Sequence, residues 1–169
     1  MRITKTLAGA ALCVVVTLTT AGCSDDKGSD TTADAAAAKS EIQAKADQRL
    51  AEIAAAPNLE PGIAGYLREV VAISLEFQVK PSKDGKNSTV NEAITDAKAA
   101  RELMCISDGN GNWAPGSGFT SMRDVYVDEF AKGLKEDNQV EGDSVATVVA
   151  GRVLTAMEKH LCQGPQSAA

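Results

Sequence analysis

The sequence predicts an all-α fold: a small, disulfide-pinned domain of four to five helices carried on a flexible tether. Three observations lead there. Beyond residue 40, apolar residues recur mostly at three- and four-residue spacings. Clusters of Pro, Gly, Asn and Asp cut that pattern into helix-length pieces. Two cysteines, Cys105 and Cys162, lie in the helical region, which is enough for one bridge. The 169 residues are 44 % hydrophobic, which suits one domain with a packed core. The net charge of −6 excludes the basic face that nucleic acid requires. The chain holds one histidine, His160, so no site that needs two can be built.

The helices follow in order. Ser40-Glu41-Ile42-Gln43 fits a capping box, and Ile42, Ala46, Leu50 and Ile53 continue at helical spacing until Pro57. The apolar face of this first helix is thin, so it should pack at the periphery. A second helix begins at Pro61, a favoured first-turn residue, and carries Ile63, Tyr66, Leu67, Val70, Val71 and Leu75. Leu75, Phe77 and Val79 also alternate as a strand would; lacking a visible strand partner, the segment reads as helix ending before Pro81. Residues 81–88 form a turn around Asp84-Gly85.

A third helix starts near Thr89, with Glu92 as its capping partner and Val90, Ile94, Ala97, Leu103 and Met104 as its face. It ends around Cys105 to Ser107. A Gly-rich loop follows from Asp108 to Gly118. Thr120 or Ser121 then caps a fourth helix with Met122, Val125, Tyr126, Phe130 and Leu134 inward. Asp143 or Ser144 opens a fifth, in which Val145, Val149, Val153, Met157 and Leu161 repeat every four residues and Gly164-Pro165 stops the chain. The six aromatics all lie between Tyr66 and Phe130, which centres the core on the second to fourth helices.

The N-terminus reads as an address. Arg2 and Lys5 precede a 12-residue apolar run, Leu7 to Leu18. A membrane span needs about 20 residues, so this is a signal-peptide hydrophobic region. It ends in Thr20-Ala21-Gly22-Cys23. Small residues before a cysteine at that place resemble the lipobox of bacterial lipoproteins, with Thr20 in place of the usual Leu or Val. The resemblance implies that residues 1–22 are removed and that Cys23 takes a diacylglyceryl group and becomes the new N-terminus. Cleavage after Ala21 or Gly22 without a lipid, or an uncleaved anchor, are the plainer readings. Two acyl chains suffice for stable anchoring. The resemblance therefore places the protein on the outer face of the cell membrane. Loss of Arg2 and Lys5 would leave 15 basic against 23 acidic residues, a charge of −8.

Ser24 to Ser40 contains no large apolar residue and reads, with Cys23, as a tether of residues 23–40, spanning about 20–25 Å. The helical domain is then residues 41–169. Export would place Cys105 and Cys162 in an oxidising space, where a disulfide closing 57 residues is the default and two separate buried thiols the alternative. The last helix, with Cys162-Gln163-Gly164-Pro165 behind it, is similar to the end of small secreted actinobacterial paired-cysteine helical domains, whose function is unknown; nothing about chemistry carries over from them.

Candidate sites are few. Asp108-Gly109-Asn110-Gly111-Asn112 starts like a calcium loop, but Trp113 stands where such a loop needs Gly and Phe119 where it needs Glu. A plain Gly/Asn turn is the stronger reading, and no metal or cofactor is expected. Trp113 and Phe119 on this loop are candidate anchors for a partner; the alternative is a lid folded onto the core. A Ser-His-Asp triad would have to use His160, and Gly116-Ser117-Gly118 lacks the nucleophile-elbow pattern. Lys80, Lys83 and Lys86 could meet anionic headgroups or form a solvated turn. The sequence thus points to a non-enzymatic interaction module of the cell envelope, partnered by the membrane through its lipid and by an envelope protein or polymer. A carrier of an apolar ligand between the helices, and a hydrolase, are the alternatives.

Overall fold

In the computed structural model, residues 31–80 and 89–162 are described, with side chains described for Ser40, Ile42–Lys80 and Thr89–Cys162. The signal segment, Cys23, the 81–88 turn with Lys83 and Lys86, and Gly164-Pro165 lie outside them. The described residues form six helices and one hairpin: α1 (Thr31–Ala55), α2 (Pro61–Glu76), α3 (Val90–Met104), β1 (Cys105–Ser107), β2 (Trp113–Pro115), α4 (Ser117–Ser121), α5 (Arg123–Glu136) and α6 (Asp143–Leu161). The expected all-α, disulfide-pinned class is what the chain adopts: Cys105 and Cys162 are bonded, with their Cα atoms 5.2 Å apart.

α1 starts nine residues before the expected capping box, so Ser40 lies inside a helix. This corrects the tether, whose residues 31–40 are helical. The stretch Ala33-Asp34-Ala35-Ala36-Ala37-Ala38 explains the difference. It has nothing to bury, yet alanine is the strongest helix former and needs no core to extend a helix already started. As expected, α1 is peripheral: it buries Ala46 and Ile53 and packs chiefly on α2.

α2 begins with Pro61 in its first turn and ends at Glu76, four residues short of the expected stop. Gln78 turns the chain at φ +50°, and the Val79 N–H donates to the Ser74 carbonyl at 2.9 Å. The Leu75–Val79 ambiguity is therefore settled as a helix end, with Val79 folded inward. α3 starts as expected. The Thr89 hydroxyl accepts from the Glu92 N–H at 3.2 Å, and the Glu92 carboxylate accepts from the Thr89 N–H at 2.7 Å. Its buried face is made of Ala93, Ala97, Ala100 and Met104, however, and Leu103 points outward.

The fourth helix is also revised. Gly116 precedes the short α4, and Met122 separates it from α5, so neither Thr120 nor Ser121 is a cap. α5 buries Phe130, Ala131 and Leu134, while Met122 and Val125 are exposed. Before α6 stands Gly142, at φ +86°, with no side-chain cap. Asp143 sits instead in the first turn, a favourable place for negative charge, and accepts a 2.8 Å bond from Lys135.

α6, rather than the aromatic-rich middle of the chain, is the axis of the core. It packs most extensively on α2 and α5. Ala146, Val149, Ala150, Val153 and Ala156 on it are fully buried. Aromatic count misplaced the centre because small β-branched and alanine side chains admit closer neighbours than rings do.

Candidate functional site

Two places gather polar or exposed chemistry: the hairpin and the crossing of α2 with α6.

The hairpin stands where a Gly-rich loop was expected. β1 and β2 pair antiparallel, with Ile106 opposite Ala114, and residues 108–112 make the turn. Asp108 organises it. One carboxylate oxygen accepts from the backbone N–H groups of Asn110 (2.8 Å) and Asn112 (3.1 Å), the other from the Asn112 side chain at 2.7 Å. These donors, the Asn112 amide foremost, hold the Asp108 carboxyl below the usual carboxylate range. The carboxylate thus serves the turn it closes, as the plain-turn reading expected.

Opposite residues of an antiparallel pair share a face. Cys105 and Trp113 face the core; Ile106 and Ala114 face out. Trp113 is half-buried, with the Arg101 guanidinium 4.7 Å above its ring. That guanidinium also makes an ion pair with Glu60, at the head of α2. Hydrogen bonding from Arg101 holds the Glu60 carboxyl low. The hairpin is therefore fastened to the helices by a disulfide and a cation–π contact, and the Arg101 side of that contact is itself held by Glu60.

The two candidate anchors separate here. Phe119 is 4 % exposed and stacks on Tyr126 with ring centroids 5.6 Å apart. It is part of the core, since α4 turns its ring inward, and is not presented to a partner. Trp113 closes the gap between hairpin and α3. The exposed apolar side chains are others: Leu103 is 65 % and Ile106 61 % exposed, one just before the hairpin and one on its outer face. Sequence reasoning missed both. The available signal was the pair of short alternating segments around a five-residue Gly-containing turn, a hairpin pattern.

At the second place, Glu69 on α2 receives Lys159 at 2.8 Å and His160 Nε2 at 2.7 Å on the same oxygen. The Lys159 bond, then the His160 bond, keep the Glu69 carboxyl low despite partial burial. Two glycines admit His160. A Cβ on Gly65 would lie 2.5 Å from the imidazole Nδ1, and one on Gly62 would lie 2.4 Å from the His160 carbonyl oxygen. The imidazole is thus wedged between a carboxylate and a helix backbone. Among the described residues no hydroxyl hydrogen-bonds the ring, so the geometry is that of a helix clamp, without a nucleophile attached. Arg123, bonded to Thr155 at 2.8 Å and facing Glu158, and Arg152, facing Glu76, add ion pairs along α6.

Lys80, expected in a basic turn, pairs with Glu141. Its backbone N–H donates to the Gln139 carbonyl at 2.7 Å. Among the described residues no group of three or more His, Cys, Asp and Glu side chains is arranged to hold a metal ion. No described helix is long and apolar enough to cross a membrane. No protein-family profile, curated protein or solved structure matches the chain.

Proposed function

We propose that the chain is a lipid-anchored bacterial lipoprotein whose helical domain is a non-enzymatic binding module on the outer face of the cell membrane. In this reading the outer face of the hairpin docks an envelope protein. The observation that carries it is the exposed Ile106 on the outer face of a hairpin tied to the helices by a disulfide and a cation–π contact, with Leu103 exposed at the end of the helix that leads into it. A rigid mount lowers the entropy lost on binding, which favours a recognition role over a loose loop. The anchor rests on the Thr20-Ala21-Gly22-Cys23 motif.

Two measurements test it. Cys23→Ser moves the protein from the membrane fraction to the soluble fraction; unchanged partition overturns the anchor. A photo-crosslinking residue at position 106 gives a discrete adduct in intact cells, one at exposed position 48 on α1 does not, and Leu103→Glu abolishes the adduct. Equal labelling from both positions overturns the docking face.

A further inference from the structure

We infer that Asn110 is a site of spontaneous covalent modification, at which the chain's own backbone and one water convert the side-chain amide to a carboxylate and loosen the hairpin turn. The chemistry needs only the turn and stands apart from the docking reading above.

The reacting pair is Asn110 and Gly111. The Gly111 backbone nitrogen attacks the Asn110 Cγ. The N–Cγ bond forms, the Cγ–Nδ2 bond breaks, and ammonia leaves with the proton that Gly111 gives up. The product is a cyclic imide, which water opens. Opening at Cγ leaves an ordinary aspartate. Opening at the backbone carbonyl leaves an isoaspartate, whose main chain runs through Cβ and Cγ. Nothing is oxidised or reduced.

The turn exposes this one residue and closes its neighbours. Asn110 and Gly111 are exposed. Gly111 has no Cβ to shield its nitrogen, lies at φ +89°, and has open space around it. Its N–H has no hydrogen-bond partner among the described residues. The Asn110 side chain touches the Asp108 carboxylate only weakly, as the least of the groups that hold it low. Asp108 also precedes a glycine, but its carboxylate is ionised and tied by three bonds to Asn110 and Asn112. The Gly109 N–H donates to the Ser107 hydroxyl at 3.1 Å. Asn112 is held by Asp108 through its side chain and precedes the bulky Trp113. Elsewhere, Asn91 precedes the Glu92 N–H, which donates to Thr89, and Asn138 the Gln139 N–H, which donates to Leu134. Asn58 precedes a leucine.

The product acts on the bonds that close the turn. Asp108 accepts from the N–H groups of Asn110 and Asn112, on either side of the reacting peptide. An isoaspartate lengthens the chain between those two donors. Either product sets a second carboxylate beside Asp108, and like charges repel.

The test ages the full-length protein in detergent at mildly alkaline pH, folded and in urea. Peptides are mapped by mass spectrometry with fragmentation that separates aspartate from isoaspartate. The expected result is conversion of Asn110 at rates of the same order in the two states, giving both products. In the folded chain Asn112 should react slower than Asn110 by about tenfold or more, since its bond to a charged acceptor must first break. Asp108 should isomerise in urea and not in the folded chain. A folded rate at Asn110 lower than in urea by about tenfold or more overturns the inference, as does equal reaction at Asn110, Asn112 and Asp108 in the folded chain. The modified fraction, separated by its added charge, should exchange the Asn112 amide faster by about tenfold, and Asn110→Asp should show part of that rise. Unchanged exchange at Asn112 in both overturns the loosening.

Discussion

The α2–α6 crossing and the hairpin are held by opposite means. At the crossing, backbones meet: Gly62 and Gly65 leave no room for a Cβ against His160. Around them the side chains of Ile63, Val70, Val149 and Val153 are fully buried. At the hairpin, the turn glycines Gly109 and Gly111 have positive φ and no neighbour within 4 Å. There the chain is kept in place by a covalent bond and one ring contact. Glycine in the first place serves close approach, in the second a backbone shape. The crossing is held by the area it removes from water, whereas the hairpin is held by a few discrete fastenings and can keep its outer face bare.

Removing the disulfide is the largest test of this contrast. A bridge closing 57 residues is worth about 4 kcal/mol by chain entropy. Cys105→Ser with Cys162→Ser should lower the urea unfolding free energy by about that amount. Hydrogen exchange should rise first at residues 105–115 and last in α2 and α6. Simultaneous loss of protection in both would show that the hairpin is part of the core after all.

Gly62→Ala attacks the other region. A helix gains about 1 kcal/mol in propensity from this change, but the new Cβ meets the backbone oxygen of His160, which cannot rotate aside. Overpacking costs about 1–3 kcal/mol, so the variant should be less stable in urea. A stabilised variant would mean that the helices separate freely. Gly111→Ala should instead raise exchange only around the turn, through strain at φ +89°.

The Glu69 clamp gives a smaller effect with a definite pH sign. Its carboxyl is held below its ordinary value. Stability from it is therefore complete above about pH 4.3, the unfolded value, and is lost as pH falls through the lower folded value. Glu69→Gln should lower the melting temperature at pH 7 and flatten its decline under acid. A decline as steep as in the parent would assign the acid sensitivity elsewhere. Smallest is Trp113→Leu, which removes the ring beneath Arg101 at a cost of about 0.5–1 kcal/mol. It should loosen exchange in the hairpin with little change in α2 and α6.

Much of the helical frame was legible because its signals are local. Pro61 and the Thr89–Glu92 box mark starts that backbone chemistry alone dictates, and the i+4 valines of α6 mark a buried face. The lost parts are non-local. Leu103, Met122 and Val125 fit the apolar period, yet the partners of their helices lie against the neighbouring alanine and phenylalanine faces. The hairpin strands are three residues each, too short for alternation to stand out. The Glu69–His160 contact joins residues 91 apart, and nothing in either segment announces the other. The Trp113 site was half legible: an aromatic in a Gly-rich turn drew attention to the right loop, but the exposed side chains proved to be aliphatic ones nearby.

The position of the bridge orders events during synthesis. A chain leaves the ribosome N-terminus first, so α1, α2 and α3 emerge well before Cys162. Cys105 must wait for the whole of α6 before its partner exists. The bond joins the end of α3 to the residue after α6, so it cannot form until the last helix has been made.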